Sequence, residues 1–356
     1  MKTVLTVVIS IALLVTTALP CTTFCVRTKT ATLVAHNYDY DTGVGMLMVN
    51  KRGVAKISTT EDDGNPAKWT SKYGSVTFNQ FGRENPNGGM NEKGLVVELM
   101  WLGDTEYPKT GKEPTVDLLE WIQYQLDTAA TVAEALKNAG AIRIDPQLPG
   151  IKIHYLIADA DGNAAVVEYL SGKLVVSSGA DLPKAVLTNN TYESSLDYLE
   201  KTAPDKATSD GSFDRFLRAS NGVDAIGNKD PIAYSFSVLD GVRSQHYTSN
   251  DDTVWSVVYD QRSRSIHFKT KVVPTEKIVD TRRVEYACGS PVTMLDVDTK
   301  IVGDVTASFA DYTRKANRDL IAAAFKGSTL LKFVPAALVD AAAAYPEDFK
   351  CVANPN

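Results

Sequence analysis

Short apolar or alternating runs, separated by glycine-containing turns, fill much of the chain. Alternation with a period of two marks strands, because successive side chains of an extended backbone point to opposite faces. Strands are predicted on that basis at 22–27 and 31–36, which form a hairpin. Others fall at 46–49 and 54–57, around a Lys51-Arg52-Gly53 turn, and at 95–102, after the Gly88-Gly89 and Asn91-Glu92-Lys93-Gly94 turns. Residues 153–159, 164–170 and 173–178 read as a meander with turns at Asp161-Gly162 and Ser171-Gly172, and 255–259 with 265–270 as a further hairpin.

A period near 3.6 replaces the alternation in fewer places. Leu118, Leu119, Ile122 and Leu126 predict a helix over 116–127 with Thr115 as its cap. Thr131 is the expected cap of 132–138, which stops before Gly140. Helices are also predicted at 192–201, at 213–220 capped by Ser212, and at 307–325 and 330–344. No Pro/Ser/Gly-rich linker, long charge run or internal repeat divides the chain. A single domain of α+β class is expected, with stacked antiparallel sheets covered by helices in layers.

The N-terminus follows neither pattern. Lys2 precedes an apolar run from Val4 to Leu19, the make-up of a secretory signal peptide. It is too short to span a membrane with any margin, and there is no other apolar run of 18 residues. The expected division is a signal peptide at 1–20 and one domain at 21–356. Thr16 and Ala18 suit cleavage after Ala18, which leaves Leu19-Pro20 as a two-residue propeptide. Cleavage directly after Pro20 fits poorly, since proline restricts the backbone on both sides of itself. Pro20 and Ala18 also stand where a lipoprotein signal has a small residue and leucine. The expected location is exported, either periplasmic or secreted.

Composition excludes more than it suggests. The 356 residues carry 37 Lys and Arg against 43 Asp and Glu, a net charge of −6, so no nucleic-acid partner is indicated. The histidines are His36, His154, His246 and His267, and no two have metal-ligand spacing. No GxxxxGK[ST], no strand-associated GxGxxG and no GxSxG occurs. No metal or organic cofactor is expected. Of the cysteines, Cys288 and Cys351 bracket the C-terminal segment as a candidate disulfide in an oxidising compartment. Cys25 reads as a small buried hydrophobe.

Cys21 is the chemically unusual residue, because processing places it at the head of the mature chain. A free α-amine titrates near 7.7–8.0 and a thiol near 8.5, so one residue then holds a nucleophile and a base matched to neutral pH. The alternative is a structural cysteine. Such a nucleophile needs an acid to hold the amine, donors for an oxyanion, and a cation near sulfur. Asp39, Asn189 and Arg215 are candidates. Spacing alone also allows a turn aspartate just past the second strand, an N-cap asparagine and a solvated helix arginine.

Five segments together carry a resemblance: Cys21-Thr22-Thr23-Phe24, Asn37-Tyr38-Asp39, Gly89-Met90-Asn91-Glu92-Lys93-Gly94-Leu95, Val186-Leu187-Thr188-Asn189 and Asp214-Arg215-Phe216. In these segments, in this order, the chain resembles the choloylglycine hydrolase family of N-terminal nucleophile hydrolases. That family includes bile salt hydrolases, penicillin V acylases and other linear amide hydrolases. The resemblance implies a four-layer αββα sandwich of two antiparallel sheets, and a homotetramer. It implies Cys21 as nucleophile and base, Asp39 holding its amine and thiol, the Asn189 side chain as oxyanion donor, and Arg215 as the cation near the sulfur. It also implies the Trp101 backbone N–H as second oxyanion donor, seven positions after Gly94.

One departure stands out. His36 occupies the position, two before Tyr38, where the family carries Arg or Lys. Histidine is charged only below about pH 6.5. Binding of an anionic substrate is therefore expected to improve toward pH 5–6 if His36 faces the pocket. The implied reaction is attack of the Cys21 thiolate on the amide carbonyl of a small N-acyl substrate, loss of the amine, and hydrolysis of the thioester. Acyl transfer from the same thioester, or an inactive exported binding protein on the same scaffold, are the alternatives.

Overall fold

The computed structural model describes residues 20–60, 65–148, 150–244 and 252–352. Residues 1–19, which hold most of the expected signal peptide, and His246 lie outside the described residues. Two antiparallel-dominated sheets form the centre. The first has seven strands in the spatial order Val186–Leu187, Thr22–Arg27, Thr32–Tyr40, Asp252–Asp260, Ser265–Thr270, Lys277–Asp280 and Gly303–Asp304. The second has nine: Lys173–Ser178, Ala164–Leu170, Ile153–Ala158, Val96–Trp101, Gly88–Asn91, Ser75–Asn79, Met46–Asn50, Thr293–Asp296 and Ala310–Asp311.

The central strands Thr32–Tyr40, Ser75–Asn79, Val96–Trp101 and Ile153–Ala158 are buried at every position. That requires cover on both faces. Aromatic rings fill the gap between the sheets. Phe78 of the second sheet lies 5.8 Å from Trp255 and 5.5 Å from Phe268 of the first, and Tyr38 stacks on Trp255 at 4.4 Å. Helix Leu118–Thr128 covers the outer face of the second sheet, where Trp121 stacks on Tyr155 at 4.1 Å. Helices Ser212–Asp224 and Pro231–Gly241 cover the first, where Asn37 Nδ2 donates to the Leu239 carbonyl at 2.8 Å. The layer order is αββα, as the resemblance implied.

Strands 22–27, 54–57, 164–170, 173–178 and 265–270 match their predicted bounds. The second strand runs further than predicted, to Tyr40, so Asp39 lies inside it rather than past its end. His36, Asn37 and Asp39 broke the apolar pattern there, yet each is enclosed by sheet and helix. The cap of helix Leu118–Thr128 is Asp117, not Thr115, in a capping box with Glu120. Ser212 likewise caps nothing: Gly211 holds that position, and the Ser212 hydroxyl is engaged elsewhere. Helix Pro231–Gly241 went unpredicted although Asp230 caps it and proline opens it. The last two helices are shorter than predicted, Arg314–Gly327 and Ala336–Ala344, the second starting after Pro335.

Cys288 and Cys351 form a disulfide with their Cα atoms 5.4 Å apart. It ties down strand Lys350–Cys351, which pairs with Val54–Ile57. No helix among the described residues is long and apolar enough to cross a membrane.

Candidate active site

Cys21 sits at the head of strand Thr22–Arg27, which runs between Val186–Leu187 and Thr32–Tyr40. Side chains alternate along this strand. Thr22 faces the helices, and its hydroxyl accepts from Arg215 Nη1 at 2.6 Å. Thr23 faces the second sheet and donates to Met100 Sδ at 2.9 Å. Cys21 shares the Thr23 side, is 2% exposed, and bonds the Asp39 carbonyl through sulfur at 3.7 Å. In the full-length chain its nitrogen belongs to the Pro20–Cys21 peptide bond. Burial, with the Asp39 charge next, pushes the thiol pKa far up, against the Asp39 carbonyl bond and Arg215. The sulfur is thus protonated and enclosed here.

Arg215 organises the surroundings from the first turns of helix Ser212–Asp224. Nε donates to the Asp210 carbonyl at 3.0 Å, Nη1 to the Cys21 carbonyl at 2.5 Å, and Nη2 to Asn189 Oδ1 at 2.7 Å. The cation therefore grips the backbone of Cys21 rather than its sulfur. Burial draws its pKa down to about 10, with Asp39 and Cys21 opposing, so it stays charged at neutral pH.

The Asn189 amide is oriented without ambiguity. Arg215 can only donate, so it must meet the amide oxygen; the Trp101 carbonyl can only accept, and it takes Nδ2 at 2.9 Å. The Asn189 backbone N–H donates to Ser212 Oγ at 2.8 Å, which is where the expected cap serine is used. Trp101 pairs with Ile153. The Ile153 N–H and carbonyl, however, go to Tyr107 Oη at 3.1 Å and Thr105 Oγ1 at 3.1 Å. This makes Trp101–Ile153 a non-hydrogen-bonded pair, so the Trp101 N–H and carbonyl both point away from Ile153, to the side where Asn189 lies. The neighbouring strand on that side pairs only as far as Gly88–Glu98.

Asp39 is fully buried, with the Thr253 hydroxyl of the paired strand beside its carboxyl group. Burial lifts its pKa to about 7 against the pull of the Arg215 guanidinium. His36 lies three residues before it, in the gap between the sheets. Its Nδ1 meets Thr23 Oγ1 at 2.5 Å and its Nε2 is 3.5 Å from Glu98 Oε2. Burial drives its pKa down to about 3, so the ring is neutral at pH 5–6, where the sequence alone allowed a cation. The structure thus brings Cys21, Asp39, Trp101, Asn189 and Arg215 together and sets His36 aside as an uncharged inter-sheet residue. Thr22 and Ser212 complete the cluster; both lie inside or beside the segments that carry the resemblance, where the sequence marks them only as strand and cap.

Two cavities, of about 180 and 340 Å³, lie apart from this cluster. Asp41, Asp252 and Lys271 line the first, and Cys25, Arg27 and Gln261 the second. Cys21 is in neither wall.

The model of one family, the linear amide C-N hydrolases of the choloylglycine hydrolase family, matches residues 21–234 and so begins at Cys21. The chain belongs to the choloylglycine hydrolase family. It is a linear amide C–N hydrolase. A penicillin V acylase of Pectobacterium atrosepticum is 30% identical over 62% of this chain and 69% of its own length. A bile salt hydrolase/transferase of Clostridium perfringens is 32% identical over 35% of this chain and 40% of its own. The solved penicillin V acylase of Agrobacterium tumefaciens superposes with a TM-score of 0.72 at 28% identity, covering 82% of this chain and 98% of that one. A conjugated bile acid hydrolase of Clostridium perfringens shares the fold of this choloylglycine-family chain, with a TM-score of 0.66 at 18% identity over 80% of this chain and 98% of its own.

Proposed function

We propose that this hydrolase acts through Cys21 as an N-terminal nucleophile. Removal of the leader and of Leu19-Pro20 frees the nucleophile, and the substrates are N-acyl amides with neutral or aromatic acyl groups of the penicillin V type. The Asn189 amide carries the proposal: it is fixed at its oxygen by Arg215, beside a backbone N–H of Trp101 aimed to the same side, with Arg215 also holding the Cys21 carbonyl. Preset donors of this kind are worth most where charge develops. The buried Asp39 carboxylate beside Cys21 is the second support, since a freed Cys21 ammonium gives it a charge-matched partner.

In this mechanism the α-amine takes the thiol proton, and the thiolate attacks the amide carbonyl. Asn189 Nδ2 and the Trp101 N–H hold the oxyanion. The amine returns the proton to the leaving nitrogen, the C–N bond breaks, and a thioester remains. Water, deprotonated by the same amine, then releases the acid. Export is supported by the leader composition and by the Cys288–Cys351 disulfide, which persists in oxidising compartments. The acyl preference is supported by the penicillin V acylase similarity and by His36, which is enclosed and neutral and offers an anionic substrate no charge. Light scattering on the mature protein checks the homotetramer that the family resemblance implies.

Two measurements test the proposal. Intact mass of the exported protein is expected to correspond to a chain beginning at Cys21. Cys21→Ser is expected to lower penicillin V hydrolysis on the order of 10³-fold or more with the fold unchanged, because a hydroxyl is a far weaker nucleophile. A retained Leu19, or a serine variant within about tenfold of wild type, overturns the nucleophile assignment.

A further inference from the structure

We propose that His154, steadied by Glu168, is a positioning residue for the Asn189 amide. The proposal rests on Asn189 being the oxyanion donor. Trp101 and Asn189 stand on different sheets: Trp101 in strand Val96–Trp101 of the second, Asn189 just past strand Val186–Leu187 at the edge of the first. An oxyanion hole built from both works only if the gap between those sheets is held constant at this point.

His154 spans that gap. It belongs to strand Ile153–Ala158, next to the residue paired with Trp101, and its Nε2 meets the Thr188 carbonyl at 2.8 Å. Thr188 is the residue before Asn189, and its hydroxyl accepts from Ser212 at 3.0 Å. On the other side of the ring, Nδ1 meets Glu168 Oε1 at 3.1 Å. The strand register, with Tyr155 opposite Val167, makes His154 and Glu168 cross-strand neighbours. The same Glu168 oxygen accepts from the Tyr192 backbone N–H at 3.1 Å, at the start of the helix that follows Asn189. One buried pair therefore grips the 188–192 segment at both ends. His154, Thr188 and Glu168 are 0%, 0% and 2% exposed, so water does not compete for these bonds.

Hydrogen-bond chemistry fixes the protons. A carbonyl cannot donate, so Nε2 carries a hydrogen toward Thr188. A proton also sits between Nδ1 and the Glu168 oxygen. The pair is thus a directed strut, not a packed ring. When the oxyanion forms, the Asn189 amide gains an acceptor that pulls on the segment, and the Thr188 bond resists that movement.

The test measures penicillin V kcat and KM, both normalised to the Cys21 thiol alkylated by iodoacetamide and counted by peptide mass. His154→Leu is expected to lower kcat roughly 30- to 100-fold, the size of loss caused by a displacement near 1 Å at a reacting centre, with KM within about threefold. His154→Gln, which keeps a donor near the Nε2 position, is expected to recover about tenfold of that loss. Unchanged kcat per thiol in the leucine variant, with only a lower melting temperature, means a purely structural pair and overturns the proposal. Should the leucine variant fail to fold, Glu168→Ala decides: a kcat loss of about fivefold or more supports the strut, and wild-type kcat overturns it. Failure of the nucleophile assignment looks different, as alkylation of Cys21 then leaves wild-type hydrolysis intact.

Discussion

Two buried clusters of charge in this molecule are built to opposite rules. Around Lys56 the ammonium meets Glu84 Oε2 at 2.5 Å and Asp127 Oδ2 at 2.8 Å, with side chains 1%, 2% and 0% exposed. Asp127 also takes the Trp69 indole N–H at 2.7 Å and the Gln123 amide at 2.8 Å. Burial works against the Lys56 charge, but the two carboxylates more than offset it and its pKa is raised. Around Cys21 the same degree of burial lifts the Asp39 pKa to about 7, against the Arg215 guanidinium and the Thr253 hydroxyl. Asp127 too is raised by burial, to about 6, but it shares a cation with Glu84, whereas Asp39 contacts no ammonium of that kind among the described residues; the paired cluster specifies structure, and the acid held near neutrality is the candidate for chemistry.

The comparison predicts that substitutions in the two clusters fail in different ways. Asn189→Ala is expected to lower kcat about 10²- to 10³-fold, the usual loss for one oxyanion donor, with KM and melting temperature little changed. Lys56→Met is expected to do the reverse. It strands two buried carboxylates, which costs about 3–5 kcal/mol in unfolding free energy, while kcat per folded molecule is retained. A kcat loss in the lysine variant, or a stability loss of that size in the asparagine variant, breaks the distinction. Cys25→Ala sharpens it further. Cys25 shares the Cys21 face of the same strand, and burial raises both thiols, so what sets it apart is that its nitrogen stays inside the chain when Cys21 is freed. Its removal is expected to leave kcat within about twofold.

Sequence made the candidate cluster legible because Cys21, Asp39, Asn189 and Arg215 sit in short segments at fixed order, with Trp101 reached by its distance from Gly94, and the alternation at 22–27, 164–170, 173–178 and 265–270 marks half-buried strands directly. What it could not carry are facts about both sides of an element at once. Asp39 reads as a turn residue because polar side chains interrupt the apolar run; only the strand Asp252–Asp260 beside it makes that segment sheet. Ser212 reads as a cap because caps are local, whereas its true partners, Thr188 and Asn189, are more than 20 positions away. His154 carried no signal at all, since a histidine in an apolar strand looks the same whether it packs or bridges two sheets. The neutral state of His36 is likewise a consequence of enclosure, which no spacing records.

The smallest effect expected lies between the two clusters. Glu98 occupies the gap between the sheets beside His36, and its carboxyl rests over Gly88, where an added Cβ would come within 2.2 Å of it. Burial raises its pKa from 4.5 to about 8, with Tyr259 opposing. The folded chain therefore keeps a proton on Glu98 that the unfolded chain releases, and stability falls as pH rises from about 4.5 to about 8. Asp39 and Asp117, both raised to about 7, contribute to the lower part of that fall. Between pH 7 and 8 the Glu98 contribution stands apart from theirs. Glu98→Gln is neutral in both states and preserves a donor toward His36 Nε2. Urea unfolding at pH 5, 6, 7 and 8 is expected to show a flatter profile in the variant, with the difference persisting in the last interval after the aspartates have titrated. Identical profiles would falsify the assignment of a proton to Glu98. A matching loss of kcat would move the inter-sheet residues from structure into the proposed Cys21 site, because the charge they withhold from the gap would then be one that the site depends on.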